Sequence, residues 1–193
     1  MTLPRLLVLT DRSQCPTSLL DSVAAAVDAG ARAVVLREKD LAEEERNRLA
    51  EGLRGLLEPV GGLLIRAGTG AAAVHLAARQ PFPAVRPPLV GRSCHDPGEL
   101  ARARAERCDY VTVSPVYPTD SKPGYGPALG PAGLASLVAD APAPLVYALG
   151  GVQPQHVHDC LAAGAHGVAV MGTVMRRPGL VGSYLTALEE AAA

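Results

Sequence analysis

GLLIRAGTGAAAVHLAARQPFPAVRPPLVGR, residues 62–92, holds three short apolar runs, at 62–66, 73–76 and 89–92. Each is of strand length and rich in Val, Leu or Ile. Only AGTGAA (67–72) joins the first run to the second. Parallel strands normally need a crossover of ~10 residues or more. The next connection, AARQPFPAVRPP (77–88), carries Pro81, Pro83, Pro87 and Pro88. Four prolines prohibit a full helix there. The stretch thus predicts neighbouring strands whose connecting helices have been stripped away.

Outward from it the pattern becomes regular. Strand-like runs recur at 5–10, 33–37, 109–113, 144–148 and 167–171, and helical periodicity at 17–29, 41–58, 97–107, 131–139, 153–163 and 179–192. Asp96, Pro97 and Glu99 form a helix-start signal. Eight strand-like runs, most of them separated by helices, predict an α/β chain folded as one domain over residues 1–193. The expected architecture is a small, irregular (β/α)8 TIM barrel with reduced helices after strands three and four. A doubly wound open sheet is the competing arrangement. A flank so thinly covered should expose apolar surface, so a homodimer is expected.

Hydrophobic residues make up 48% of the chain and aromatics 3%, which leaves Val, Leu, Ile and Ala to fill the core, as in layered parallel sheets. A net charge of −1 with no basic stripe argues against nucleic-acid and membrane-surface partners. No apolar run reaches bilayer length, and Leu6–Leu9 is cut short by Asp11 and Arg12, as a strand is and a signal peptide is not. Cys15, Cys94, Cys108 and Cys160 lie far apart without metal spacing, which suits reduced thiols in a cytoplasmic protein.

In a barrel, function sits where strands end at the C-terminal face. Strand two runs into Arg37-Glu38-Lys39, where alternation puts Arg37 and Lys39 on one face. Two inward cations are costly unless paired or facing an anion. Strands seven and eight run into Gly150-Gly151 and Gly172-Thr173, where glycine lets backbone N–H groups approach a phosphate. The loop after strand six, 114–127, has the length and Pro/Gly content of a lid, with Thr119, Ser121 and Lys122 as anion-binding candidates. On strand five, Ser93 and His95 share a face while Cys94 points the other way, so Cys94 and His95 are a poor nucleophile–base pair. His75 suits either a core or an acid–base role. No metal site is expected.

Together LREKD (36–40), VGRSCHD (90–96), DYVTVSPVYPTDSKPG (109–124), ALGGV (148–152) and AAGAHGVAVMG (162–172) resemble the thiamin phosphate synthase family and its TenI-like thiazole tautomerase relatives. The resemblance implies that Lys39, Ser93, Thr119 and Lys122 hold charged groups of the substrates. It likewise implies that Gly150, Gly151, Val170 and Met171 cradle a thiazole phosphate. The synthases also carry a glutamine at the Val35 position and magnesium-binding carboxylates after strands three and four. Between Glu58 and Asp96 this chain has no Asp or Glu. Arg66 and Arg79 stand there instead, and either could hold a substrate carboxylate.

The expectation is therefore a metal-independent thiazole tautomerase with no cofactor, its proton carried by Lys39, His75 or His95, because Pro115 stands where the tautomerases carry a histidine. The alternative is a thiamin phosphate synthase, which would need Mg2+. A further one is a non-catalytic thiazole-phosphate-binding regulator.

Overall fold

The computed structural model describes residues 3–119, 127–139 and 144–191. Its strands are β1 (Leu6–Leu9), β2 (Ala33–Leu36), β3 (Leu63–Ala67), β4 (Ala73–Leu76), β5 (Leu89–Cys94), β6 (Tyr110–Val113), β7 (Leu145–Ala148) and β8 (Gly167–Val170). Each pairs in parallel with the next, and β8 pairs with β1, closing the barrel and disposing of the open-sheet alternative. Strand alternation divides the apolar residues into two layers. Leu7, Val35, Ile65, Tyr110 and Tyr147 fill the interior. Leu6, Val34, Val74, Val111 and Val168 pack outward against the surrounding elements.

With so few aromatics, two tyrosines carry much of the inner volume. Gly91 makes room for one of them, since a Cβ there would lie 2.0 Å from Tyr110 Cζ. The Tyr147 hydroxyl donates to the Pro4 carbonyl at 2.6 Å.

Helices α1 (Leu19–Asp28), α2 (Glu43–Leu57), α3 (Pro97–Ala105), α4 (Gly130–Val138), α5 (Val157–Ala162), α6 (Gly172–Arg176) and α7 (Leu180–Glu190) surround the barrel. Ser18 caps α1 by accepting from Asp21 N–H, and Asp96 caps α3 by accepting from Glu99 N–H at 2.8 Å. Glu99 completes no reciprocal capping box; its carboxylate turns to His95.

Among the described residues no helix lies between β3 and β4 or between β4 and β5, as the short and proline-rich connections predict. The outer face of these strands is nevertheless covered, and the exposed large apolar residue on this flank is Val85 of the connection itself, among the described residues. Val74, Leu76 and Val90 face outward yet are 0% exposed. Their cover is the extended 77–88 segment itself, from which Phe82 packs onto the outer core. A proline-rich strap shields the strands that a helix would otherwise cover. Among the described residues no helix is long and apolar enough to cross a membrane.

Candidate active site

At the C-terminal ends of the strands a cavity of about 590 Å3 opens. Arg37, Lys39, His75, Ser93, His95 and Thr119 line it, together with Gly150, Gly151, Val170, Met171, Gly172 and Thr173. These predicted residues come from six different strand ends, and barrel closure alone brings them together. Ser121 and Lys122, on the lid-like loop, lie outside the described residues.

His75 sits on the floor of this cavity, at 5% exposure. Its Nδ1 lies 3.0 Å from the Tyr110 hydroxyl and its Nε2 2.9 Å from Ser93 Oγ. Burial, with the nearby charges of Lys39, Arg37 and Arg92, pushes its pKa down to about 3. The imidazole is therefore neutral near pH 7, able to accept at one nitrogen and donate at the other. His95 is higher, on the rim. Its Nδ1 and its backbone N–H both lie 2.8 Å from Glu99 Oε2, so the carboxylate sets the ring's orientation. Cys94 is buried on the opposite face of β5, where burial and Glu99 hold its thiol protonated.

One predicted substrate ligand is misplaced. Arg66 points away from the cavity into the layer between barrel and α2, where it donates to Glu43 Oε1 at 2.9 Å. Strand alternation decides this: Ile65 and Ala67 face inward, so the residue between them cannot.

The glycines after β7 line the cavity and also have a packing role. Gly150 and Gly151 have φ of +89° and +65°. A Cβ on Gly150 would meet Pro115 Cα at 2.9 Å, and one on Gly151 would meet the Pro118 carbonyl oxygen at 2.2 Å. Their first task is to let the β6 loop lie against the β7 loop, a contact held by Val116 N–H to Leu149 O and Tyr117 N–H to Gly150 O, both 2.9 Å. Gly172 differs, because what a Cβ would meet there is chiefly the movable ends of Gln14 and Arg176. The opening N–H groups of α6 have no intrahelical acceptor and sit at the cavity edge beside Arg176.

Two further cations, Arg79 and Arg176, stand in the cavity wall, and of these Arg176 is absent from the sequence-based reading. Arg176 lies one helical turn beyond Gly172-Thr173, a spacing that could have revealed it. With Arg37 and Lys39 they make a mouth dominated by positive charge. Its two lining carboxylates are occupied, Asp96 at the α3 cap and Glu99 at His95.

A closed parallel barrel with a polar, cation-rich mouth at its C-terminal face is the architecture of the (β/α)8-barrel enzymes. A family model described as thiamine monophosphate synthase matches residues 6–174. A Geobacter sulfurreducens protein provisionally named a thiamine-phosphate synthase is 38% identical over 189 residues, covering 90% of this chain and 87% of that one. The thiamine-phosphate synthase of Methanoculleus marisnigri is 36% identical over 187 residues, covering 88% and 87%. Thiamine phosphate pyrophosphorylase from Pyrococcus furiosus shares the fold, with a TM-score of 0.84 at 24% identity over 98% of this chain and 97% of that one. The chain belongs to the thiamine monophosphate synthase family.

The resemblance brings magnesium with it, and the donor set does not fit that ion. Mg2+ takes hard oxygen ligands, commonly one or two carboxylates when it carries a phosphate. Among the described residues no group of three or more His, Cys, Asp or Glu could hold a metal ion. The strand ends that carry the family's metal carboxylates present Arg66, turned outward, and Arg79, at the cavity wall.

Proposed function

We propose that this chain is a thiamin phosphate synthase, joining a pyrimidine pyrophosphate to a thiazole phosphate. The names carried by the related proteins favour this reaction over the tautomerase expected from the sequence. The observation in the structure that carries it is the cationic mouth around one cavity. Both substrates are anionic, and each must lose hydration and mutual repulsion to lie side by side.

In the coupling, the thiazole ring nitrogen forms a bond to the pyrimidine methylene carbon. The carbon–oxygen bond to pyrophosphate breaks, and its electron pair leaves with the pyrophosphate. No proton needs to move. Arg37 and Lys39 stabilise the departing negative charge by fixed electrostatics. The organic fragment turns cationic as the bond breaks, so a neutral floor suits it. His75 supplies that floor, held in place by Tyr110 and offering Ser93 as a polar contact. The thiazole phosphate occupies the opening of α6 beside Arg176.

The test mixes hydroxymethylpyrimidine pyrophosphate with thiazole phosphate and enzyme and measures thiamin phosphate. Its formation is expected. Arg176→Ala should weaken thiazole phosphate binding by about tenfold, the usual scale of one charge-assisted contact; isothermal titration checks this, and unchanged affinity would move the phosphate elsewhere.

A second reading, the metal-independent tautomerase, is favoured by the lack of carboxylates between Glu58 and Asp96 and by a neutral histidine bonded to a cavity-lining serine. Aromatisation of the thiazole carboxylate phosphate tautomer, followed by ultraviolet absorbance without any thiamin phosphate formation, would replace the first reading with this one. Binding without either reaction would leave a regulator.

A further inference from the structure

We infer that Arg79 is the receptor for a second substrate anion, on the side of the cavity facing the phosphate end, and that it acts without a metal ion. The inference rests on the proposed function for its substrate and on independent geometry for its site. Closure in the order β1 to β8 sets β4 directly across the barrel from β8. The connection after β4 carries Arg79; α6 follows β8. Facing strand ends in an eight-stranded barrel stand roughly 15 Å apart. An extended arginine reaches well into that span, so a ligand between the two ends must bear anionic groups at both extremities.

The loop that presents Arg79 is held far more firmly than an ordinary surface turn. Arg92, 0% exposed, donates through Nη1 to the carbonyls of Ala77, Ala78 and Gln80 at 2.9, 3.0 and 2.8 Å. Its Nη2 lies 2.6 Å from Glu106 Oε2. Arg102 reaches the same Gln80 carbonyl at 3.1 Å, and the Gln80 side chain accepts from Ala77 N–H at 3.2 Å. Burying a guanidinium is costly unless its donors are used. Here Nη1 pins the backbone on both sides of Arg79. Arg79 itself is exposed toward the cavity and makes no hydrogen bond or ion pair with the described residues. A clamped backbone beneath an uncommitted guanidinium is a preorganised anion receptor. Under the coupling reaction the anion is the pyrophosphate of the pyrimidine substrate. The same geometry would take a carboxylate on the thiazole ring.

The experiment titrates wild-type protein, Arg79→Ala and Arg79→Lys by calorimetry in EDTA. The probes are inorganic pyrophosphate, thiazole phosphate, and thiazole phosphate bearing a ring carboxylate. Arg79→Ala should weaken pyrophosphate by about ten- to a hundredfold and leave plain thiazole phosphate within about twofold. Arg79→Lys should recover part of the loss, keeping the charge without the planar fork. A loss confined to the carboxylated thiazole phosphate also supports the receptor and names the carboxylate as its anion. Unchanged affinity for both second anions in Arg79→Ala overturns the inference, as does pyrophosphate binding that requires added magnesium. Wild-type protein that ignores both thiazole phosphates overturns the functional reading instead, and the pyrophosphate titration then still decides Arg79.

Discussion

Gly91→Ala is expected to cost at least ~3 kcal/mol of folding stability, an overpacking penalty at the top of the usual range. The added Cβ would lie 2.0, 2.3 and 2.5 Å from three atoms of the Tyr110 ring. Tyr110 is 0% exposed and cannot swing out of the barrel. Its ring lies 5.5 Å from His75 and edge-on to Tyr147 at 5.7 Å, so any shift passes to the floor of the cavity. Urea unfolding of the variant should show a lower midpoint at unchanged slope. The double variant Gly91→Ala/Tyr110→Leu should fall well short of the sum of the single losses, because the leucine vacates the space the methyl needs. Additive losses would show that the clash is relieved by some other route.

Acid should destabilise the protein through His75. Burial lowers the pKa from an ordinary 6.5 to about 3, while the unfolded chain keeps the ordinary value. Between these pH values the unfolded state binds a proton that the folded state refuses, so stability falls as pH falls. At pH 7 the effect is absent. It should reach roughly 3 kcal/mol by pH 4.5 and approach a ceiling of about 4–5 kcal/mol near pH 3. Asp40, held below 3.8 by the hydrogen bond from the Arg12 guanidinium, titrates beneath most of this window. His75→Gln preserves polar contact with Tyr110 and Ser93 but cannot take up a proton. Its urea midpoint should therefore fall less between pH 7 and pH 4.5 than the wild-type midpoint does. Equal slopes would mean that the ring is protonated in the folded protein, and the floor of the site would then carry positive charge.

The strand and helix order was legible in the chain because it rests on local chemistry. The 62–92 stretch announces its missing helices through a six-residue connection and four prolines, and no distant contact can undo either constraint. Asp96 starts α3 because its carboxylate reaches Glu99 N–H three residues away. Alternation sent Arg37 and Lys39 inward once strand two was recognised.

What the tertiary structure alone decided is which distant groups meet. Arg66 and Arg79 are equivalent candidates in sequence; the inward register of Ile65 and Ala67 turns the first toward Glu43, and the buried Arg92 holds the loop of the second at the cavity. Gly150 and Gly151 read as phosphate ligands, yet their missing side chains first admit the backbone of Pro115 to Pro118, more than thirty positions earlier in the chain. The proline-rich strap reads as a gap, and only the packing of its Phe82 onto the outer core shows it to be a cover. His75 reads in sequence as either a core histidine or an acid–base residue. Its neutrality comes from burial and from the cations Lys39, Arg37 and Arg92 gathered by barrel closure. Periodicity and proline act through neighbouring residues, so the sequence by itself determined the succession of elements. Desolvation, charge proximity and steric admission act through space, so only the closed barrel decided the site.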